Sequence, residues 1–351
     1  MRTFVFQATL PRVVFGAGAL RHLPREADAL GMRRVLVLST PGQRAMAERA
    51  AALLGASAAG VFSQAAMHVP VETARAAADE AARLGCDGAV AIGGGSTTGL
   101  GKAIALASGL PVIAVPTTYA GSEVTTMYGL TESCAKTTGR DPRVLPRCVI
   151  YDPELSRGLP FGITVVSAIN AIAHAAEGLY APDANPMIDL MAAEGIRIFA
   201  SVLPRLQRDP ADLDARGDAL VGAWMCGTVM GSITVGLHHK LCHTLGGFGL
   251  PHAELHTVIL PHAMAYNAPA APEAMRRIAA ALQAPAAPAG LFDLAERHGA
   301  ATSLRAIGMR AADLDRAADL AAQNQYPNPR PLDRGLVRAL LQRAYDGTRP
   351  D

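Results

Sequence analysis

Up to about residue 150 the chain alternates between short runs of β-branched and other apolar residues and longer Ala-rich stretches. In the longer stretches the apolar positions recur every three or four residues. The runs at 12–15, 35–38, 60–62, 88–92 and 112–115 predict strands, and 125–131 and 148–151 predict two more. Between them, 19–30, 44–54, 72–84 and 100–108 predict helices. Strands and helices in alternation imply a parallel sheet covered on both faces. Past Pro153 the texture changes. Stretches 163–180, 188–200, 212–237, 272–282, 291–296, 311–321 and 334–344 predict helices, and strand signals nearly vanish. Segments 284–290 and 325–331 are Pro-rich loops. The pattern predicts an α/β domain over 1–152 and an all-helical domain over 153–351, with a ligand cleft between them.

Composition narrows the class. A chain of 351 residues fits two domains of ordinary size, and 50% hydrophobic residues exclude disorder. Lys+Arg 32 against Asp+Glu 30 leaves a net charge of +2, with no run of five like charges, so neither a nucleic-acid footprint nor a polybasic membrane anchor is expected. Cys86, Cys134, Cys148, Cys226 and Cys242 form no CxxC pair and fit reduced thiols in a cytoplasm. The opening residues lack the apolar stretch of a secretory signal, and a cytoplasmic enzyme is the expectation. One stretch, 219–237, is uncharged and close to the length of a membrane span. Its glycines, serine and threonines favour a buried central helix instead, one that neighbouring helices approach closely.

Chemistry concentrates in three places. The strand at 88–92 runs into Gly93-Gly94-Gly95-Ser96, and a helix follows. Glycines there let the backbone approach a phosphate, with Gly94, Gly95 and Ser96 against it and a helix N-terminus behind; a simple tight turn is the plainer reading. The strand at 112–115 enters Pro116-Thr117-Thr118, two hydroxyls at the carboxyl end of a parallel strand, where ligand crevices form. Finally, His238, His239, His243 and His252 lie within 15 residues, with Lys240 among them. His239 and His243 share a helix face, as do Asn170 and His174. His256 and His262 read as structural.

Together the GGGS turn, the PTT-x-AGSEVT stretch, the helix ending in His174 and the H-x-x-x-H…PH pattern closing at His252 resemble the iron-containing, or group III, alcohol dehydrogenase family. That resemblance runs from Phe4 to about Asn267. It implies a Rossmann-like N-terminal domain and a helical C-terminal domain, the fold shared with dehydroquinate synthase, and a homodimer. Metal-dependent members hold iron or zinc with one Asp and three His; by motif those positions are Asn170, His174, His239 and His252. A neutral amide replaces the Asp. Three histidines suffice for zinc in some sites, yet GLHHKLCHTLGGFGLPHAELHTVILPHAMAYN and GGGSTTGLGKAIAL look most like the maleylacetate reductases, which implies that no metal is required. Gly99 is a further departure, since many metal-dependent relatives carry Asp there.

The resemblance also implies NADH or NADPH as cofactor. After the second strand many NAD-preferring relatives have an Asp, whereas this chain has Ser39-Thr40-Pro41-Gly42, so a 2′-phosphate meets no carboxylate. Thr125 and Lys136 are expected to complete the cofactor site, Lys136 near the nicotinamide ribose. The implied reaction is reduction of the C=C bond of maleylacetate, a small dicarboxylate, to 3-oxoadipate in aromatic-compound degradation. On that reading His243 and Lys240 share the roles of oxyanion donor and proton source. His174, His239 and His252 bind carboxylates while partly protonated. The alternatives are a metal-dependent alcohol or polyol dehydrogenase and a catalytically inactive dinucleotide sensor.

Overall fold

Strands that are apolar at every position belong in a sheet with both faces covered, and the chain builds one. The computed structural model describes residues 3–132, 135–323 and 326–351. Its main sheet contains β1 (Arg12–Phe15), β2 (Val35–Leu38), β3 (Ala58–Phe62), β4 (Gly88–Gly93) and β5 (Val112–Pro116). A separate antiparallel hairpin follows, β6 (Met127–Glu132) and β7 (Ala135–Arg140), and β8 (Cys148–Tyr151) returns to the main sheet. The six main strands are parallel, in the order β1-β8-β5-β4-β2-β3. Every residue of β2, β4, β5 and β8 is buried.

Period-two alternation sorts those side chains onto two faces. Val35, Val37, Val90, Ile92, Ile113 and Val115 pack with helices α1 (Leu23–Ala29) and α2 (Arg44–Leu54). Leu36, Leu38, Ala89, Ala91 and Val112 pack with α3 (Val71–Arg83) and α4 (Gly95–Ser108). All seven expected strands are present, and β7 is an eighth. Its sequence, AKTTGR, has no apolar alternation to announce it.

A four-residue helix, α5 (Pro153–Ser156), leads to the helical part: α6 (Phe161–Gly178), α7 (Pro186–Arg208), α8 (Leu213–Ser232), α9 (Leu237–Gly246) and α10 (His252–Asn267). After these come α11 (Pro272–Leu282), α12 (Ala287–Arg297), α13 (Leu314–Ala322) and α14 (Arg334–Asp346). Helix α10 was not among the predicted elements. It is buried nearly all round and carries Pro261 inside it, so no apolar stripe marks it. The uncharged stretch 219–237 is not one rod, because the chain bends by 94° between α8 and α9.

The chain divides into two compact units, one of Thr9–Leu159 with Ala211–Leu220, the other of Met1–Ala8, Pro160–Pro210 and Val221–Asp351. A single cut after 152 therefore differs from the observed division. The segment 211–220 joins the α/β unit because Arg216, fully buried, donates to Tyr119 Oη (3.0 Å) and to the Leu159 carbonyl (2.8 Å).

Small residues set the helix spacing in the second unit. A Cβ on Gly195 of α7 would lie 2.6 Å from Cys226 Sγ of α8, and one on Gly222 would meet Phe199 at 3.2 Å. Overfilling such a contact destabilises by ~1–3 kcal/mol, more than the ~1 kcal/mol that alanine gains over glycine in a helix. Gly195→Ala is expected to lower the urea midpoint, and Cys226→Ala in the same chain to restore most of it; circular dichroism melts of the two variants check both.

Candidate active site

The α/β unit offers the first of two constellations. β2 and β4 are neighbours whose onward connections leave in opposite directions, toward β3 and toward β5, and such a switch point opens a crevice at the strand ends. β4 closes on Gly93 at φ +155°, where a Cβ would lie 2.4 Å from Thr97 Oγ1 and 2.7 Å from Gln43 Oε1. Only glycine fits there. Gly94 caps α4 and Gly95 is its first residue, so the helix begins inside the glycine motif rather than at 100. Gly95 is exposed, and a Cβ on it would meet nothing nearer than Ala120 at 3.5 Å. Its openness is therefore not required by packing within the chain; a helix N-terminus left clear in this way suits an anion.

Neighbouring hydroxyls are tied together by a residue the sequence did not single out. Thr40 Oγ1 donates to Gln43 Oε1 (3.1 Å), and Gln43 Nε2 donates to Thr117 Oγ1 (2.9 Å). Gln43 thereby links the ends of β2 and β5. Ser39 is fully buried and its hydroxyl bonds to Ser63 Oγ (2.9 Å), whereas Thr118 is half-buried and Ser96 likewise. Thr125 is buried and held by Lys102, whose Nζ donates to Thr125 O and Oγ1 (both 2.9 Å) and to Met127 O (2.7 Å). Burial pulls Lys102 down to about 7 although Glu123 lies nearby. The side chain of Lys136 lies outside the described residues. Gly99, on α4, faces Val69, whose Cγ2 sits 2.6 Å from where a Cβ would be. Val69 is itself in the left-handed region, at φ +48°.

The helical unit holds the second constellation. Asn170, His174 and Glu177 recur at i, i+4 and i+7 along α6 and so share one face. Glu177 was missed, although it is the one acidic residue in α6. It accepts from His239 Nδ1 (2.6 Å), from the Gly236 and His238 N–H groups (3.1 and 2.9 Å) and from Tyr180 Oη (3.0 Å). Burial alone raises its carboxyl, yet His239, His238 and the Gly236 N–H hold it at about 2. An ionised carboxylate only accepts, so the His239 proton sits on Nδ1, and Nε2, buried and without a partner, faces the cluster.

Around His239 the structure gathers the predicted histidines. Ring centres lie 5.2 Å away for His174, 4.9 Å for His238 and 6.5 Å for His243. His256, read as structural from the sequence, sits in their midst: 5.2 Å from His239, 4.9 Å from His238 and 4.3 Å from His252. Both its ring nitrogens are buried with no hydrogen-bond partner. Its spacing of four from His252 on α10 was the available signal. His262 belongs to a different environment, where burial and the charge of Arg343 push it to about 4. Lys240 on α9 places its Nζ 5.9 Å from the centre of the Tyr326 ring.

One expectation is corrected here. His174 is not a partly protonated clamp: burial and the neighbouring His239, His238 and His252 rings push it well below the usual histidine range. The same causes act on His256, and His238 is lowered to about 4. His174, His238 and His256 are therefore neutral at pH 7.

Residues 11–153 match the iron-containing alcohol dehydrogenase family, and residues 164–345 match the C-terminal part of the Fe-containing alcohol dehydrogenases. The chain belongs to this family. It is 65% identical to a maleylacetate reductase of Burkholderia cepacia, with all of both chains covered. Identity is 56% to the maleylacetate reductase of Pseudomonas sp. strain P51, over 99% of each. The crystal structure of maleylacetate reductase from Agrobacterium tumefaciens superposes with a TM-score of 0.95 at 53% identity, covering 100% of both chains.

The family name implies iron. Asn170 Oδ1, His174 Nδ1 and His239 Nε2 are buried and lack partners, so donor atoms are present. None of them is anionic. His238, His239 and His256 also bring three nitrogens within 4.8 Å of one another, again all neutral donors. The carboxylate that touches the cluster, Glu177, is engaged by four donors and stands behind His239. A dication here would bury two charges against a single carboxylate that is not a ligand, and buried charge without close pairing is strongly unfavourable. The donor set offers an iron centre no anionic ligand.

The depressed histidines make stability depend on pH with a definite sign. Unfolded, they titrate near 6.5; folded, His238 and His262 titrate at about 4, and His174 and His256 well below their usual range. Between those limits the unfolded chain binds more protons, so stability is complete above about 6.5 and is lost as pH falls toward 4. Glu177, held at about 2, adds loss of the same sign below about 4.5. Urea midpoints are expected to drop steadily from pH 7 to pH 5; a flat profile would contradict the neutral, buried cluster.

Proposed function

We propose that this protein reduces maleylacetate to 3-oxoadipate with NADH or NADPH, without a metal, as a step in the breakdown of aromatic compounds. The observation that carries the reading is Asn170: a neutral amide stands where the family motif places an anionic ligand, beside His174 and His239, in a chain similar to maleylacetate reductases over its full length. NADPH is admitted as well as NADH because no carboxylate follows β2. Gly94, Gly95 and Ser96 take the pyrophosphate, and Thr118 lines the dinucleotide beyond it.

The nicotinamide, when bound, supplies a hydride to the alkene carbon remote from the ketone, leaving negative charge on the ketone oxygen as an enolate. The protein must then stabilise that oxygen, hold two carboxylates and deliver one proton to the adjacent carbon. Lys240 and His243, one helical turn apart on α9, share the first and last of these tasks. Positioned donors at a developing oxyanion do the work of a Lewis acid. His239, oriented through Nδ1 by Glu177, presents Nε2 toward substrate, and His174 and His252 complete the carboxylate surroundings. Glu177 keeps its own charge away from the substrate because its lone pairs are fully engaged.

The direct test is NADH oxidation with freshly generated maleylacetate, before and after exhaustive chelation. Turnover that survives chelation is expected; recovery that tracks added zinc or iron supports a metal-dependent alcohol dehydrogenase instead. His243→Ala should lower kcat by roughly 10²-fold or more if it donates to the oxyanion or supplies the proton. Near-normal turnover in that variant would remove it from the mechanism.

A further inference from the structure

The Pro-rich residues 328–333, before α14, are fastened to the helical unit by several hydrogen bonds. Asn328 Oδ1 accepts from the Leu237 N–H (3.2 Å), at the first residue of α9, and from Asn267 Nδ2 (3.0 Å). Its own Nδ2 donates to Asn267 Oδ1 (2.7 Å) and to the Arg330 carbonyl (2.6 Å). Tyr266 on α10 donates its hydroxyl to Pro331 O (2.7 Å) and accepts from the Asp333 N–H (3.1 Å), while the Arg330 guanidinium stacks 4.8 Å from its ring centre. Pro327, Pro329 and Pro331 restrict the backbone between these ties.

What this strap delivers is Tyr326. The ring lies 5.9 Å from Lys240 Nζ, and its hydroxyl is buried with no hydrogen-bond partner. A phenol that has lost water and gained no acceptor is unfavourable, and phenylalanine would fill the same volume without that penalty. Tyr326 is thus held in a place where only its hydroxyl calls for an explanation. Burial, Glu177 and Tyr266 push its ionisation well above the usual tyrosine range, so it remains a donor at any working pH.

We propose that Tyr326 is a substrate-binding residue, its hydroxyl and one N–H of the Lys240 ammonium, whose other N–H groups serve the enolate oxygen, each donating to one oxygen of the same substrate carboxylate, and that Asn328 is the residue that positions it. A carboxylate has two oxygens to satisfy, and a phenol and an ammonium brought together from different elements satisfy one each. Together they confer selectivity for a dicarboxylate over an uncharged ketone or aldehyde. The proposal rests on the reduction of maleylacetate described above.

Tyr326→Phe is expected to raise KM for maleylacetate about tenfold or more, the loss of a hydrogen bond to a charged group. NADH affinity, measured by fluorescence titration, should stay at the wild-type value, and the melting temperature should hold or rise, since the unpartnered hydroxyl is removed. Asn328→Ala should raise the same KM, and the double variant should add little to Tyr326→Phe alone, because both act through one hydroxyl. Wild-type enzyme that fails to oxidise NADH with maleylacetate overturns the reaction and this inference together. Wild-type turnover with an unchanged KM in Tyr326→Phe overturns the role of Tyr326 alone, whatever becomes of Asn328→Ala. A rise in KM accompanied by an equal loss of NADH affinity would likewise count against it, as a general loosening of the fold.

Discussion

The bond from His239 Nδ1 to Glu177, 2.6 Å long and wholly buried, is the contact on which the helical site depends. Glu177 does two things with one carboxylate. It caps the start of α9 through the Gly236 and His238 N–H groups, which fixes where that helix begins, and it fixes the tautomer of His239 two residues later. Since His243 and Lys240 ride on α9, their positions follow from the same anchor. A single acid on α6 thus sets the frame for the chemistry on another helix.

Electrically, the cluster is quieter than ten histidines in a sequence suggest. Packing imidazoles against one another in a dry interior makes each harder to protonate, because burial and mutual repulsion act in the same direction. The result is a wall of rings in which His174, His238 and His256 are held below the usual histidine range. Asn170 belongs to that logic: an aspartate there would supply charge that a metal could balance, whereas an amide leaves the wall neutral.

Much of this was legible in the sequence, and the gaps have physical causes. The uniformly apolar strands, the glycine turn at the end of β4 and the His239/His243 pair announce themselves because their residue types have few other uses. Gln43 and Glu177 do not, since an isolated amide or acid reads as surface until the fold places it against a strand end or a helix start. His256 looked structural because it stands on α10, a helix buried nearly all round, whose lack of an apolar stripe also hid the helix itself. The polar hairpin strand β7 was invisible for the opposite reason, and the anchoring of Tyr326 required knowing that Asn328 meets Asn267 across 61 residues of sequence.

Gly99 and Val69 form one steric unit. The valine side chain fills the volume that any side chain on α4 would need at position 99, and it does so from a left-handed backbone that β-branched residues seldom adopt. The loop is pinned there by Thr131, whose N–H and hydroxyl donate to the carbonyls of Val69 (3.1 Å) and His68 (2.9 Å). A side chain at 99 therefore requires the Val69 methyl to move, in a loop whose backbone is held to β6. An anionic surface beside the glycine turn thus depends on position 69 as much as on position 99.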